Sequence, residues 1–393
     1  MTIKKIAFVH IKYPCGGAEK ITTYISDELK KAGYQIYLFA EKIDTEKLTP
    51  KDESIILQQT PSSIYSRESA DFIIEQIKNN KIDLFICPGV VLNYLNRIRQ
   101  ETACKVVYAH HSMPFWEITA KITAGEHASH KSIGKRIEWL LFRAPKYKIP
   151  SYLSKKVYNN YKQRYEEVDA YTVLCEAYAR EICDKIGVGR NESKISVLTN
   201  PILNIPETIS PKKKQVVFVG RLTFADKRVD RLLHIWKQLY QKHSDWELLI
   251  YGEGDEKENL IRLSQEIGLE RVYFKGYVKD TAAVYKEASL LCMTSSYEGW
   301  PLVLTEAQSH GVVPIAFNCC AGIEEILSAQ NEYGMLIKKF DLDAYAKALD
   351  NLMSHPDALK EMQSKVTASV KRYSLDKIVE QWLNLIKEIE SKG

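Results

Sequence analysis

The chain has 393 residues, 45% hydrophobic and 27% charged, with a formal net charge of +5. That length exceeds one ordinary domain and suits two. The balanced composition excludes a disordered or repetitive protein, and no apolar run reaches the length of a membrane span. Ile6–Ile11 follows Lys4 and Lys5 but is too short for a secretory leader and contains His10. Eight cysteines (Cys15, Cys87, Cys104, Cys175, Cys183, Cys292, Cys319, Cys320) show no C-x-x-C pair and lie mostly in or beside apolar runs. They predict reduced core residues in a cytoplasmic protein.

The first half alternates short apolar runs with periodic segments. Ile6–Ile11, Gln35–Ala40, Ile82–Cys87, Val106–His110, Tyr171–Cys175 and Ile195–Leu198 predict strands; Ala18–Ala32 and Ala70–Asn79 predict helices between them. This alternation predicts an α/β fold with a parallel sheet, whose ligands bind beyond the strand C-termini. Past the first strand, Gly16-Gly17 open directly onto a helix. Paired glycines let backbone amides approach an anion or sugar closely; a plain flexible turn is the competing reading. Another strand ends in His110-His111, each a candidate site residue or an ordinary hydrogen-bonded histidine at a strand edge.

Between residues 121 and 165, eleven Lys or Arg stand against only Glu126 and Glu138, which leaves the rest of the chain slightly acidic. Ile133, Ile137, Trp139, Leu140, Leu141 and Phe142 are interleaved, then Tyr147, Tyr152, Tyr158 and Tyr161. A basic, aromatic, partly amphipathic segment suits the inner surface of an anionic membrane. A solvated helical excursion is the alternative. No nucleic-acid motif accompanies it, so no nucleic-acid partner is expected. Asn200-Pro201-Ile202, Pro206, Pro211 and Lys212–Lys214 read as a linker. The expected units are therefore 1–206, 207–370 and a terminal helical segment 371–393. Its helix, Leu375–Ile389, has apolar positions at Ile378, Trp382, Leu383, Leu385 and Ile386.

The second half restarts the pattern. Strand Val216–Val219 ends in Gly220-Arg221-Leu222, and Lys227-Arg228 precede helix Val229–Tyr240. Cations at a helix start are disfavoured by its dipole, so their presence there argues for a bound anion such as a diphosphate leaving group. Strand Leu248–Tyr251 runs into Gly252-Glu253-Gly254, without the third glycine of a dinucleotide fingerprint. Val272–Phe274 leads into Gly276-Tyr277-Val278. The run Ala288–Met293 predicts a buried strand, followed by Glu298-Gly299-Trp300-Pro301 and a helix bracketed by Pro301 and Gly311. The N–H groups of Leu302 and Val303 then lie at the positive end of that helix, an anion site flanked by Glu298 and Glu306. Strands Val313–Phe317 and Met335–Ile337 and helices Leu342–Met353 and Ala358–Ser369 complete the unit.

Glu298-Gly299-Trp300-Pro301 with Glu306 resembles the E-x7-E signature of the family 4 retaining glycosyltransferases. Gly16-Gly17-Ala18-Glu19 and Gly220-Arg221-Leu222 with Lys227 resemble two further motifs of that family, and Asn200-Pro201-Ile202 its interdomain junction. The resemblance implies the GT-B fold: two Rossmann-like domains facing a central cleft, with the C-terminal helix crossing back to the first. It places Gly16 and Gly17 opposite the donor diphosphate, one of His110 and His111 near the transferred sugar, and Arg221 and Lys227 on the diphosphate. It gives Gly220 and Gly252 to turns bordering the nucleotide, and the Tyr277 and Val278 backbone to the nucleobase. Glu298 is assigned to the donor sugar hydroxyls and Glu306 to the ribose, with Gly299, Trp300, Pro301, Leu302 and Val303 between them. The sequence departs from the family where Arg228 follows Lys227 in place of glycine, in a loop one residue longer.

The expected function is transfer of a hexose or N-acetylhexosamine from a nucleotide-diphosphate sugar, UDP favoured over GDP, to a hydroxyl. The acceptor implied is a lipid-linked glycan in cell-surface polysaccharide synthesis. Glu298, Arg221, Lys227, His110 and His111 are the candidate catalytic residues. The one D-x-D pair, Asp341 and Asp343, opens a helix where N-capping explains it, so neither metal nor cofactor is expected. A phosphorylase, a nucleotide-sugar epimerase and a non-catalytic partner of another transferase are the alternatives on the same fold.

Overall fold

The computed structural model describes residues 2–14, 16–129, 132–143, 145, 152–328 and 330–392. Cys15 and Tyr147, named above, and Lys131, Lys146 and Lys148 of the eleven basic residues lie outside the described residues. The chain divides into two compact units, one of residues 1–114, 158–203 and 373–393, the other of 115–157 and 204–372.

In the first unit, β1 (Lys5–Tyr13), β2 (Gln35–Ile43), β3 (Ile56–Gln59), β4 (Leu84–Pro88), β5 (Lys105–Ala109), β6 (Ala170–Val173) and β7 (Ile195–Val197) form one sheet. Its order is β3-β2-β1-β4-β5-β6-β7, and the pairs are parallel. β4 is buried along its whole length, as a strand covered on both faces requires. Strand order reverses beside β1, which opens a crevice beyond the ends of β1 and β4. Helix Gly17–Lys31 covers the sheet through Ile21, Ile25 and Leu29, one stripe at four-residue spacing. The terminal helix Leu375–Ser391 belongs to this unit. It buries Ile378, Trp382, Leu385, Ile386 and Ile389, and Glu390 Oε1 accepts the Ile3 N–H at 2.6 Å. Ile202 and Ser374 pair in an isolated parallel bridge.

In the second unit, β8 (Gln215–Val219), β9 (Glu247–Tyr251), β10 (Val272–Gly276), β11 (Leu290–Met293), β12 (Val313–Phe317) and β13 (Met335–Ile337) are also parallel, in the order β10-β9-β8-β11-β12-β13. The reversal falls between β8 and β11. Phe218, Leu232, Trp236, Ile250, Ile315 and Tyr345 are fully buried in its core. The buried Tyr345 hydroxyl donates to Ile315 O at 2.5 Å and accepts the Met293 N–H at 3.1 Å, pinning a crossing helix to two strands.

Four features differ from the sequence reading. β3 was not expected, because an edge strand with two apolar residues is held by backbone pairing to β2 and not by a core face. The helix expected from Pro301 starts at Leu302; Pro301, with ψ 103°, caps it in an extended conformation. Residues 115–157, expected inside a continuous first unit, group with the second. The basic stripe also splits: Tyr161 and Arg164, on helix Tyr152–Glu166, are buried in the first unit. The seven described cysteines are buried. Asp341 Oδ1 accepts the Ala344 N–H at 2.9 Å, capping its helix.

Candidate active site

The second unit gathers its predicted site residues on the turns after β8, β9, β10 and β11, around the reversal of strand order. The Gly220 N–H donates to Tyr251 O at 3.0 Å and the Gly252 N–H to Gly276 O at 2.8 Å, so the turns after β8, β9 and β10 are bonded backbone to backbone. A Cβ on Gly252 would lie 1.8 Å from Gly220 O, and its φ is 145°. Only glycine fits there.

Lys227 Nζ donates to Glu298 Oε1 at 2.6 Å, and their side chains are 17% and 11% exposed. Ser295 Oγ donates to the same carboxylate oxygen at 2.6 Å. The next residue, Arg228, occupies the left-handed region with φ 51°. That explains why glycine suits the position in the family. The Arg228 side chain folds onto Asp230, 2.9 Å away, and over the Phe224 ring at 4.1 Å. Lys227 is therefore the basic residue of this pair that meets Glu298.

Asp226 was not singled out from the sequence, yet it organises the turn. Its carboxylate accepts Arg221 Nη2 at 3.0 Å and the Thr223 hydroxyl, and its carbonyl accepts the Ser296 N–H at 2.6 Å. Arg221 is otherwise open, its side chain 74% exposed. Buried Arg231, also missed, donates to Thr294 O at 3.2 Å with its guanidinium 3.9 Å from the centre of the Phe340 ring. Burial pulls its pKa down to about 10, which leaves it charged at neutral pH.

Trp300 is buried beside the half-buried Gly299, while Leu302 and Val303 stand half-buried at the helix start. Glu306, on the second turn, accepts the Thr281 hydroxyl at 3.3 Å. Tyr277 is 76% exposed and Val278 half-buried, on the turn after β10. The arrangement offers cations, a helix start and two carboxylates around one strand-end crevice, the set needed to hold a polar sugar attached to an anionic group.

In the first unit, Gly16 has φ 123° and precedes the helix Gly17–Lys31. Glu19 Oε1 lies 3.6 Å from His10 Nδ1, and His10 Nε2 is 2.9 Å from Thr22 Oγ1. His110 is buried among Tyr108, Tyr161 and Tyr171, with ring centroids 5.5–6.2 Å away. Burial depresses its pKa to about 3, with Arg164 adding to the effect and the Met113 backbone working against it. His111 keeps partial exposure. Its imidazole is lowered to about 4, first by burial and then by His10, with Glu19 and Asn200 opposing. The two histidines left open by sequence thus separate: His110 is enclosed by aromatics, and His111 stands with Glu19 near the sheet reversal.

Both imidazoles are neutral in the fold and titrate near pH 6.5 when unfolded. Their contribution to stability is therefore complete above about pH 6.5 and is lost as pH falls through 4 towards 3. The melting temperature should drop across that window, and His110→Phe should flatten the drop. An identical slope in the variant would remove His110 as a cause.

Comparison with known proteins agrees with this geometry. Residues 15–202 match the family Glycosyltransferase Family 4, and residues 203–391 match Glycosyl transferases group 1. An uncharacterized glycosyltransferase of Haemophilus influenzae is 33% identical over 218 residues, which is 52% of this chain and 61% of that protein's length. The amylovoran biosynthesis glycosyltransferase AmsD of Erwinia amylovora is 23% identical over 94% of this chain and 96% of its own. Among solved structures, Anabaena Alr3699/HepE in complex with UDP and glucose superposes with a TM-score of 0.73 at 16% identity, covering 98% of this chain and 100% of that one. At that identity the likeness is one of fold, two parallel-sheet α/β domains of the GT-B type.

Proposed function

Because the chain belongs to the family 4 glycosyltransferases, we propose that it transfers a sugar from a nucleotide-diphosphate donor to a hydroxyl of a glycan acceptor, with retention at the anomeric carbon. The observation that carries this proposal is the Lys227–Glu298 pair, 2.6 Å apart, set beside the helix start at Leu302. UDP is the favoured donor nucleotide, supported by the UDP held in the Anabaena neighbour; GDP is second. The acceptor is a lipid-linked intermediate of cell-surface polysaccharide, and the basic 121–165 segment keeps the enzyme at the inner face of the membrane. No described helix is long and apolar enough to cross one.

Transfer breaks the bond from the anomeric carbon to the diphosphate and forms one to the acceptor oxygen on the same face. The acceptor proton passes to the departing phosphate oxygen. Charge builds on the diphosphate, where Lys227, Arg221 and the Leu302 and Val303 N–H groups neutralise it. Arg221 reaches the diphosphate by leaving Asp226. Glu298 accepts hydrogen bonds from the donor sugar hydroxyls while Ser295 keeps it oriented, and Glu306 holds the ribose.

Calorimetric titration with UDP, GDP and ADP, without metal, tests the donor site. Micromolar binding of UDP, weakened in Arg221→Ala, is expected; no binding of any nucleotide, even with magnesium, would overturn the assignment. Glu306→Ala should weaken the nucleotide that binds by about 10- to 100-fold through loss of a charge-assisted hydrogen bond. Unchanged affinity would remove Glu306 from the ribose. Lys227, Arg221 and the Leu302 and Val303 N–H groups make a divalent ion unnecessary, so turnover should survive excess EDTA; abolition restored by magnesium would count against a metal-free site.

A further inference from the structure

Residues 116–143 carry a surface that no step of the transfer uses. Helix Trp116–Ser129 and the short helix Ile133–Glu138, continued by a wide π-helical turn Trp139–Arg143, pack against one another. Trp139 turns inward and is 7% exposed. A Cβ on Gly125 would lie 2.3 Å from its ring, so the indole fills the space that glycine leaves. The other large apolar side chains turn outward. Ile133 is 81% exposed, Leu141 and Phe142 63%, Leu140 59% and Ile137 52%. Elsewhere among the described large apolar residues only Tyr277 is more than half exposed.

Scattered single exposures are ordinary, but five within ten residues form a patch that calls for a partner. The spacing 133, 137, 140, 141 lays them along one side of the helix. Exposed Lys135 and Arg136 stand beside them, and Lys121 on the companion helix. Lys131, Lys146 and Lys148 add charge in the flanking sequence, against Glu117, Glu126 and Glu138. A two-fold contact with a second copy would bring these cations face to face, which disfavours that partner. An anionic lipid surface satisfies both features at once: headgroups attract the cations while the apolar ridge enters the acyl boundary.

We propose that Ile133–Phe142 is a membrane-inserting ridge for anionic lipid, anchored to the protein by Trp139 over Gly125. This deepens the membrane part of the function proposed above and rests on it, narrowing the contact from the whole basic segment to ten residues. The later basic helix is left out of the ridge: Tyr161 and Arg164 are buried, and none of the described exposed large apolar side chains lies on it.

The test is flotation of the full chain with phosphatidylcholine vesicles, with and without about 30 mol% phosphatidylglycerol, alongside UDP titration. Wild type should float with the anionic vesicles. The variant Leu140→Ser, Leu141→Ser, Phe142→Ser should lose at least about tenfold in partitioning at unchanged UDP affinity, since each buried methylene of the ridge contributes. Lys135→Glu with Arg136→Glu should weaken binding to the anionic vesicles and not to the neutral ones. Flotation by the triple variant equal to wild type would overturn the ridge. So would wild type that ignores vesicles but dissociates from dimer to monomer, by light scattering, when the triple change is made; that result assigns the face to a second copy. UDP binding, read on the same samples, reports separately on the transferase assignment.

Discussion

Lys227→Ala is expected to lower kcat/KM by about 100- to 1,000-fold, the loss typical when one preorganised charge-stabilising donor is removed from an active site. The fall should lie mainly in kcat, because negative charge on the diphosphate grows towards the transition state. Structure supplies a competing cause. Glu298 is 11% exposed and shares its Oε1 between Lys227 and Ser295, so deleting the lysine strips the carboxylate of its charge partner. An unpaired, largely buried carboxylate is costly by itself. The double variant Lys227→Ala, Glu298→Gln separates the two. If Lys227 acts only by steadying Glu298, adding Glu298→Gln to Lys227→Ala should cost nothing more, or restore part of the stability. If Lys227 acts on the diphosphate and Glu298 on the sugar, the losses should compound. Steady-state kinetics with melting curves on all four proteins completes the cycle. Lys227→Ala at wild-type kcat/KM would remove this lysine from the reaction.

Much of this site was legible because parallel strands covered on both faces need continuous apolar runs. Val216–Val219, Ala288–Met293 and Val313–Phe317 announced themselves, and the residues just past each run were the candidates. Ile56–Gln59 was silent for the same reason reversed: at the sheet edge, backbone pairing to β2 suffices and Gln58 and Gln59 are tolerated. Lys227 and Arg228 at a helix start pointed to an anion, but that Lys227 shares a site with Glu298, 71 positions away, came through the resemblance, not through spacing. Asp226 gave no signal because it works through its local turn, with carboxylate and carbonyl used together. In the segment around 121–165, composition marked the charge. It could not tell inward Trp139 from outward Leu140, nor place Tyr161 in a core, since those depend on what packs opposite.

Gly252→Ala should be the most damaging single change to the second unit, although it adds one methyl group. The sequence marked Gly252 as the first glycine of a weak G-x-G; the reason it must be glycine lies in a different strand. The new Cβ would sit 1.8 Å from the Gly220 carbonyl oxygen, far inside contact distance, and that obstacle is backbone within a hydrogen-bonded turn, not a movable side chain. The φ of 145° adds strain that L-residues rarely bear. Relief requires separating the turns after β8 and β9, which loosens the Gly220 N–H bond to Tyr251 and displaces Arg221 and the approach to Lys227. A cost of roughly 4 kcal/mol or more follows from forced backbone strain and overpacking. In a unit of this size that lowers the melting temperature by about 8–16 °C. Nucleotide affinity should fall with it, because the displaced turn carries the cations. Gly134→Ala is the matched control: a Cβ there meets nothing within 4 Å and no positive φ is involved, so its melting temperature should stay near wild type. If Gly252→Ala melts with the control and binds nucleotide as tightly as wild type, the close packing of these turns is not what holds the donor site together.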